Sequence, residues 1–376
     1  MGKVVYMKMM FCIHGLGNGG TESFVISAIT ELKKRNYDIS VVIAVDDNQR
    51  QFREDEVEKL NIPIFRTCDL NNIFRKIKHF IRLYKLLKKE KPDVFHSNMD
   101  LLNGVNLFAA KLAGIKVRVS HSHTSDSQYE NDTGKHFLVS IYRFIMRKFI
   151  WAFSNRHLGC SSLAMDYLYT DKWKNDKHSY IVFNGIDIEK FKSMNSYQIN
   201  EKKHLLNIKD EYIICTVGRI QESKNSLFIV DVLSELKKKC INFKFFWIGK
   251  GDQLEAVKAK ASEMGVINNI VFLGARKDVN ELLQCFDCFL LPSKFEGFPI
   301  SVIEAQTAGL KCIISSNVTK DINCGLCRFL STDNAKNWAD EIMLYYERIE
   351  EEEYRADTSA FSAQKMVDSL LNIYEI

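Results

Sequence analysis

The stretch LPSKFEGFPISVIE, residues 291–304, decides the fold of this chain. The apolar run 288–291 stops at a proline and predicts a short buried strand. A turn that contains Glu296 follows, and we expect a helix from about Ser301, with Glu304 one turn inside it. Such a strand–turn–helix unit directs backbone N–H groups and the positive end of a helix to one point, which suits a phosphate.

The two carboxylates of this stretch flank the expected phosphate position. Glu296 lies on the turn and Glu304 on the first helical turn, and both can accept hydrogen bonds from sugar hydroxyls. A phosphate held between such carboxylates is typical of a nucleotide-sugar site. The alternative is an exposed loop acid plus a first-turn glutamate that favours the helix dipole.

Strand-like apolar runs alternate with helical patterns along the chain, which predicts an α/β fold with parallel sheets covered by helices. A first series of strands begins with 4–13 and ends with 116–119, and a second series begins with 212–217. The polar segment 184–203 between the two series is the candidate linker. At 376 residues the chain is long enough for about two domains, each with its own core.

The composition limits where the protein works and what it binds. No apolar run approaches the roughly 20 residues of a membrane span. The segment 1–13 lacks a cleavage site and runs into a glycine loop, so we expect a first strand, no signal peptide and a cytoplasmic protein. Two pairs, Cys285/Cys288 and Cys324/Cys327, have zinc-ligand spacing. The first pair spans a helix end and a buried strand, and no histidine lies near the second, so we expect no metal.

The net charge of +5 is concentrated in one helical segment. The segment 74–91 contains eight Lys or Arg and a single Glu. Apolar residues recur through it at helical spacing, namely Ile73, Ile77, Phe80, Tyr84 and Leu87. We expect a basic amphipathic helix whose apolar stripe packs on the core.

The outer face of that helix has two interpretations. It is either a plain solvated surface or a peripheral contact with anionic lipid at the inner face of the cell membrane. Nucleic acid is disfavoured because no binding motif accompanies the charge. The aromatic and basic stretch 142–151 could assist at a membrane, although a buried helix is its expected role.

A glycine loop, residues 14–20, follows the first strand and opens a helix. Its Gly15, Gly17 and Gly20 fit the G-x-G-x-x-G fingerprint of dinucleotide-binding folds. Asp46 ends the second strand, somewhat beyond the usual place of the ribose-binding acid. This loop alone leaves a nicotinamide-dependent oxidoreductase open as an alternative.

Glu296 and Glu304, with seven residues between them, resemble the Glu-x7-Glu signature of retaining glycosyltransferases of the GT4 type. The glycine loop 14–20, the hinge-like Asn-Gly-Ile-Asp at 184–187 and Gly218-Arg219 occur in the order of that family. The similarity therefore covers nearly the whole chain. It is closest to the enzymes of capsular and exopolysaccharide assembly.

The resemblance implies the B-type glycosyltransferase fold (GT-B), in which two doubly wound Rossmann-like domains face a cleft. It implies an N-terminal acceptor-binding domain over 1–186 and a C-terminal nucleotide-sugar-binding domain over 187–358. A C-terminal helix within 359–376 would cross back to the N-terminal domain.

The same resemblance assigns roles in the second domain. Arg219 and Lys224 would bind the donor diphosphate, and a departing diphosphate does need fixed cations. Glu296 would bind hydroxyls of the donor sugar, and Glu304 would bind the ribose. The other donor-binding positions are Gly274, Gly297 and Phe298 in this domain and Gly19 and Gly20 in the glycine loop. No Asp-x-Asp pair follows a strand, so no metal is expected.

A histidine at the end of an N-terminal strand contacts the transferred sugar in this family. His123, which precedes a small polar residue, matches it best, and His121 is the alternative. Alternation along a strand places both imidazoles on one face, so spacing does not decide between them.

The predicted function is a retaining, metal-independent transfer of a hexose from a nucleotide diphosphate sugar, with UDP the expected nucleotide. The acceptor would be a glycan, expected to be lipid-linked, and no cofactor is needed. The alternatives are a nucleotide-sugar epimerase, the nicotinamide-dependent oxidoreductase and a non-catalytic subunit of a glycan-assembly complex.

Overall fold

The computed structural model describes residues 7–124, 136–347 and 356–375. The chain divides into two compact units, one formed by Met1–Gly185 with Ala363–Ile376 and the other by Ile186–Ser362. The C-terminal helix begins at Ala363, within the predicted segment 359–376, and residues 359–361 form a 3-10 turn that belongs to the second unit.

The first unit is built around a parallel sheet. Its strands are β1 Lys8–Ile13, β2 Asp38–Ile43, β3 Ile64–Arg66, β4 Val94–Ser97, β5 Val117–Ser122, β6 Arg156–Gly159 and β7 Ser179–Ile181. They lie side by side in the order β3-β2-β1-β4-β5-β6-β7. The order reverses between β1 and β4, and the carboxyl ends of these two strands form the switch point where doubly wound sheets bind ligands.

Helices cover both faces of this sheet. They are α1 Gly20–Lys34, α2 Glu54–Lys59, α3 Ile73–Glu90, α4 Asn103–Ala113, α5 His136–Phe153, α6 Ser162–Tyr169 and, from the end of the chain, the helix Ala363–Tyr374. Alternation along β1 decides which helices it contacts. Met9 and Phe11 pack with α1 and the C-terminal helix, whereas Met10 and Cys12 pack with α3 and α4.

The second unit repeats this arrangement. Its helices are α7 Ser196–Leu205, α8 Ser226–Lys237, α9 Leu254–Glu263, α10 Val279–Leu283, α11 Ile300–Thr307 and α12 Ala335–Glu347, so that the C-terminal helix is α13. Its strands are β8 Tyr212–Val217, β9 Phe243–Ile248, β10 Ile270–Gly274, β11 Cys288–Leu291, β12 Lys311–Ser315 and β13 Cys327–Leu330. Their order, β10-β9-β8-β11-β12-β13, reverses between β8 and β11.

The predicted α/β class with two doubly wound parallel sheets is confirmed. In each unit the sheet is buried on both faces, as the near-continuous apolar runs of the strands indicate. Polar chemistry is therefore concentrated where the strands end.

Helix α3 differs from the prediction in the face that it buries. Ile73 and Ile77, expected on the core, are 63% and 51% exposed, and the buried line consists of His79, Leu83 and Leu87. At 3.6 residues per turn, Ile77 lies about 120° around the helix from Leu83. The imidazole of His79 joins the buried side because Thr67 and Asn106 both hydrogen-bond to it, at 2.7 and 2.9 Å.

Three histidines stack at the carboxyl ends of β4 and β5. The His121 ring lies 5.2 Å from the ring of His96 and 4.2 Å from that of His123. His96 and His121 are fully buried, and Tyr374 of α13 bonds to Nδ1 of His96 at 2.5 Å. Burial lowers the pKa of His96 and of His121 well below the usual value, so both imidazoles are neutral.

These lowered pKa values predict a loss of stability in acid. Below pH about 6.5 the unfolded chain binds protons at these histidines and the folded chain does not, so the free energy of unfolding falls as the pH falls. Each buried histidine contributes about 1.4 kcal/mol per pH unit in that range. His121→Gln removes one of these histidines, so below pH about 6.5 the free energy of unfolding of the variant should fall less steeply with falling pH than that of the wild type, by about 1.4 kcal/mol per pH unit. Urea unfolding at several pH values measures both slopes. Equal slopes for the two proteins would contradict the assignment of His121 as a buried, neutral histidine.

Candidate functional site

The site predicted in the second unit lies at the carboxyl ends of β8 and β11, where the strand order reverses. The hydroxyl of Thr216 donates to the carbonyl of Leu290 at 2.8 Å and ties the two strand ends together. Gly218 and Arg219 follow β8 directly, and Lys224 ends a 3-10 turn, Glu222–Lys224. A small pocket beside them is lined by Thr216, Val217, Gly218, Arg219, Lys224, Ile229, Trp247 and Leu291.

Lys224 and Glu296, predicted to bind the diphosphate and the sugar, contact each other. The Lys224 ammonium forms an ion pair with Oε1 of Glu296, and Ser293 Oγ donates to the same oxygen at 2.7 Å. Both side chains are largely buried. The turn after β11 is further held to the turn after β8, because the backbone N–H of Lys294 donates to the carbonyl of Ser223 at 2.9 Å.

Arg219 has no carboxylate partner within 7–124, 136–347 and 356–375, and its side chain is exposed at the pocket. An arginine that no protein carboxylate neutralises is available to an anion. Of the two cations predicted to bind diphosphate, Arg219 is therefore available to a ligand. Lys224 would first have to leave its ion pair with Glu296.

The backbone after β8 is positioned by the Gly-Lys-Gly turn after β9. A Cβ at Gly249 would lie 1.9 Å from the carbonyl oxygen of Gly218, and a Cβ at Gly251 would lie 2.0 Å from that of Ile220. The backbone N–H of Gly218 donates to the carbonyl of Ile248 at the end of β9 at 3.0 Å, and the N–H of Ile220 donates to that of Lys250 in the turn at 3.1 Å. Only glycine allows so close an approach of two backbones, which fixes the segment that carries Arg219.

Gly274 and its neighbour Arg276 are placed differently from one another. The carbonyl of Gly274 accepts the N–H of Gly249 at 2.8 Å, so Gly274 supports the same turn. Arg276 forms two bonds with the Asp278 carboxylate, at 2.8 and 2.7 Å. Arg276 and Lys202 together hold the pKa of Asp278 well below its usual range. The guanidinium of Arg276 is therefore committed to the protein.

The remaining predicted positions lie on the turn before α11 and on that helix. Gly297 is half-buried and directly precedes Phe298, whose ring is buried 5.7 Å from that of Phe361. What Phe298 can offer a ligand is therefore its backbone. Glu304, half-buried, is the fifth residue of α11.

In the first unit the glycine loop is closed by a carboxylate. Gly19 precedes α1 and Gly20 is its first residue. A Cβ at Gly19 would lie 2.5 Å from Oε2 of Glu22, so this acid lies over the loop where a dinucleotide-binding fold holds pyrophosphate. Asp46 forms an ion pair with Arg75. The Asp46 ion pair disfavours the oxidoreductase alternative. The Glu22 carboxylate stands against a pyrophosphate at the loop and equally against the donor contact predicted for Gly19 and Gly20.

His123 and His121 occupy different places in the stack. His121 is fully buried between the other two rings, whereas His123 retains exposed surface. Burial lowers the pKa of His123 to about 3, so its ring is neutral. Asn98 donates its amide to the carbonyls of Cys12 and His96, and its Oδ1 lies 2.9 Å from His123 Nε2.

This arrangement fixes the tautomer of His123. Because Oδ1 of Asn98 can only accept, Nε2 of His123 carries the hydrogen and Nδ1 carries a lone pair. Nδ1 is buried and has no hydrogen-bond partner in the described part of the chain. It is an acceptor placed at the carboxyl end of β5 without a donor.

Two residues at this edge were missed by the sequence analysis, Asn98 and Asp100. Asp100 adopts a left-handed backbone conformation (φ 47°) and accepts the backbone N–H of His123 at 3.0 Å and the Thr124 hydroxyl at 3.3 Å. Burial raises the pKa of its carboxyl. The signal was the polar Ser-Asn-Met-Asp that directly follows the apolar part of β4.

Two further features bear on the predicted chemistry. Among the described residues, no group of three or more His, Cys, Asp or Glu side chains is arranged to hold a metal ion. Across the same residues, every helix is too short or too polar to span a membrane.

Comparisons with known proteins agree with the fold and the order of the motifs. Residues 18–190 match the model of Glycosyltransferase Family 4, and residues 198–358 match that of Glycosyl transferases group 1. The putative glycosyltransferase EpsF of Bacillus subtilis is 27% identical over 98% of this chain and 96% of its own length. A UDP-Gal:alpha-D-GlcNAc-diphosphoundecaprenol alpha-1,3-galactosyltransferase of Escherichia coli is 26% identical over 84% of this chain and 79% of its own.

A solved structure shares the fold along its whole length. The Anabaena protein Alr3699/HepE, crystallised in complex with UDP, aligns with a TM-score of 0.79 and 15% identity over 97% of this chain and 99% of its own. Since the two family models together match most of the sequence, from residue 18 to 358, this chain belongs to the glycosyltransferases of group 1 and family 4.

Proposed function

We propose that this glycosyltransferase is a retaining, metal-independent hexosyltransferase that uses a UDP-sugar and extends a lipid-linked glycan in capsular or exopolysaccharide assembly. The observation that carries the proposal is the placement of Arg219 and of the Lys224–Glu296 ion pair at the carboxyl ends of β8 and β11. Cations that face a switch point, with a carboxylate beside them, suit a sugar diphosphate.

The donor diphosphate would bind at Arg219 and Lys224. Arg219 offers a forked set of donors that no carboxylate in the described part of the chain neutralises, and Lys224 offers a point charge. As Lys224 turns to phosphate, Oε1 of Glu296 loses its ion pair and becomes an acceptor for a sugar hydroxyl, while Ser293 keeps the carboxylate in place. Glu304 would accept the ribose hydroxyls. The two cations then stabilise the charge that develops on the leaving phosphate.

Neutral His123 would position the transferred sugar. Its unpartnered Nδ1 can accept a hydrogen bond from a sugar hydroxyl, and Asn98 and Asp100 hold the ring and its backbone in place. The ring does not need to change its protonation state in this role. Departure of the diphosphate and attack of the acceptor hydroxyl on the same face would retain the anomeric configuration, with the leaving phosphate as the base.

The relatives support the identity of donor and acceptor. The Escherichia coli relative is named for UDP-Gal as donor and a diphosphoundecaprenol-linked sugar as acceptor. Another relative, of Staphylococcus aureus, is a capsular polysaccharide biosynthesis glycosyltransferase that is 26% identical over 98% of this chain and 98% of its own. UDP-sugar and a lipid-linked glycan are therefore our expectation here.

The first test is stabilisation by nucleotides. UDP at a hundred times its dissociation constant should raise the free energy of unfolding by about 2.7 kcal/mol. Arg219→Ala/Lys224→Ala should abolish this gain, because it removes both diphosphate cations. The control Lys238→Ala/Lys336→Ala removes the same charge from exposed positions of the same unit, and UDP should stabilise it as much as the wild type. Thermal unfolding with UDP, GDP, ADP and NAD reads out the result.

Other outcomes of that panel would redirect the assignment. Thermal stabilisation by NAD alone would overturn the transferase proposal and favour the oxidoreductase that the glycine loop left open. Stabilisation by GDP or ADP alone would retain the proposed site and replace UDP as the nucleotide of the donor.

The second test is the product of the reaction. With an α-configured UDP-hexose and a lipid-linked acceptor, we expect an α-linked product and the same rate in the presence of EDTA. The ¹H coupling constant of the new anomeric proton reports the configuration. A β-linked product would exclude retention, and loss of turnover in EDTA that Mg²⁺ restores would exclude metal independence. UDP-sugar turnover without any acceptor would indicate an epimerase.

The third test concerns His123. His123→Ala should lower kcat about tenfold to a hundredfold, since one bond to the transferred sugar is lost, at about 1–3 kcal/mol. UDP binding, which depends on the second unit, should not change. His178→Ala, at another half-buried histidine of the first unit, is the matched control. Equal kcat values for the two variants would show that His123 does not contact the sugar.

A further inference from the structure

The first two turns of α3 expose apolar side chains to solvent. Phe74 is 79% exposed, and Ile77 and Ile81, which follow at helical spacing, are 51% and 45% exposed. Together with Ile73 they form a stripe beside the buried line of the helix. Four large apolar side chains on one exposed stripe differ from the scattered single residues that ordinary surfaces show.

Helix α5 also exposes apolar side chains. Tyr142, Phe144 and Ile145 are exposed, although the opposite side of the helix, with Met146 and Ile150, is buried as expected. The Lys76 ammonium lies 5.6 Å from the centre of the Tyr142 ring, so α3 and α5 approach each other on this side of the unit. We name these exposed residues, Ile73, Phe74, Ile77, Ile81, Tyr142, Phe144 and Ile145, the apolar face.

Unpaired lysines surround the apolar face. Lys76, Lys78, Lys85, Lys88 and Lys89 of α3 form no ion pair with any carboxylate that the structure describes, and the same holds for Lys148 of α5. By contrast, Arg75 is neutralised by Asp46 and Asp69. Arg82 lies 3.8 Å from Asp47. Counted over the residues that the structure describes, the lysines around the apolar face thus give it a positive charge, which disfavours a basic partner and favours an anionic one.

The apolar face lies towards the strand-end edge of the first unit. The Arg75–Asp46 ion pair places the start of α3 beside the residues that follow β2. The end of α5 lies at the opposite edge, because Arg118, near the start of β5, donates to the carbonyl of Phe153 at 2.6 Å. Tyr142, Phe144 and Ile145 precede this last turn of α5, so they lie nearer than Phe153 to the edge that carries His123.

We infer that the apolar face is a docking surface for a lipid bilayer with anionic headgroups. Aromatic and aliphatic side chains would enter the headgroup region while the lysines contact phosphate, which is the pattern of helices that lie in a membrane interface. This contact goes beyond the proposed reaction and does not depend on it. It would bring the strand-end edge of the first unit near the plane where a lipid-linked acceptor is held.

Co-sedimentation of the full chain with vesicles tests the inference. Binding to phosphatidylcholine vesicles that contain phosphatidylglycerol should exceed binding to phosphatidylcholine alone and should weaken with salt. Lys78→Glu/Lys85→Glu and Phe74→Ser/Ile77→Ser should each lower the partition coefficient about tenfold or more. Tyr197→Ser/Leu205→Ser, two exposed apolar residues on α7, is the matched control and should bind like the wild type.

The outcomes separate the bilayer from other partners. All substituted side chains are exposed, so circular dichroism and the response to UDP should be unchanged in every variant, whether or not the transferase proposal holds. Equal partition of wild type and both variants would overturn the inference. It would equally be overturned if light scattering showed a dimer abolished by Phe74→Ser/Ile77→Ser without lipid, or if nucleic acid bound more tightly than the vesicles.

Discussion

Both sheets of this glycosyltransferase are covered on both faces, and this constraint decides where its chemistry can be. A strand buried on both sides has no room for a charged side chain. Charged and hydrogen-bonding groups therefore collect at the carboxyl ends of the strands. Arg219 and Glu296 lie there in the second unit, and His123 and Asp100 in the first. The parallel order of the strands brings residues far apart in sequence to a common edge.

The two edges differ in their electrostatics. In the second unit Arg219, which pairs with no carboxylate that the structure describes, and a lysine–glutamate pair offer charge that a ligand can redistribute. In the first unit the histidines are neutral because burial makes protonation costly, and they offer lone pairs and ring faces. A transferase needs both properties, since the leaving group is charged and the sugar is not.

The sequence was sufficient for the fold because periodicity and chain order determine a doubly wound sheet. It also located Glu296 and Arg219, since their positions follow from the ends of apolar runs. Contacts between side chains were beyond it. The Lys224–Glu296 pair depends on how two turns meet in space, and Asn98 gains its role only through the orientation of His123. The exposed side of α3 was assigned wrongly because periodicity shows that a helix has an apolar side but not how wide the covered part is.

Helix α13 completes the core of the first unit from the far end of the chain. Met366, Val367, Leu370 and Tyr374 pack against β1 and α1, and Tyr374 bonds to His96. During synthesis on the ribosome, all of the second unit emerges before this helix does. The first unit therefore completes its core only after the last residues of the chain have been made, so it cannot finish folding ahead of the second unit as an N-terminal domain usually does.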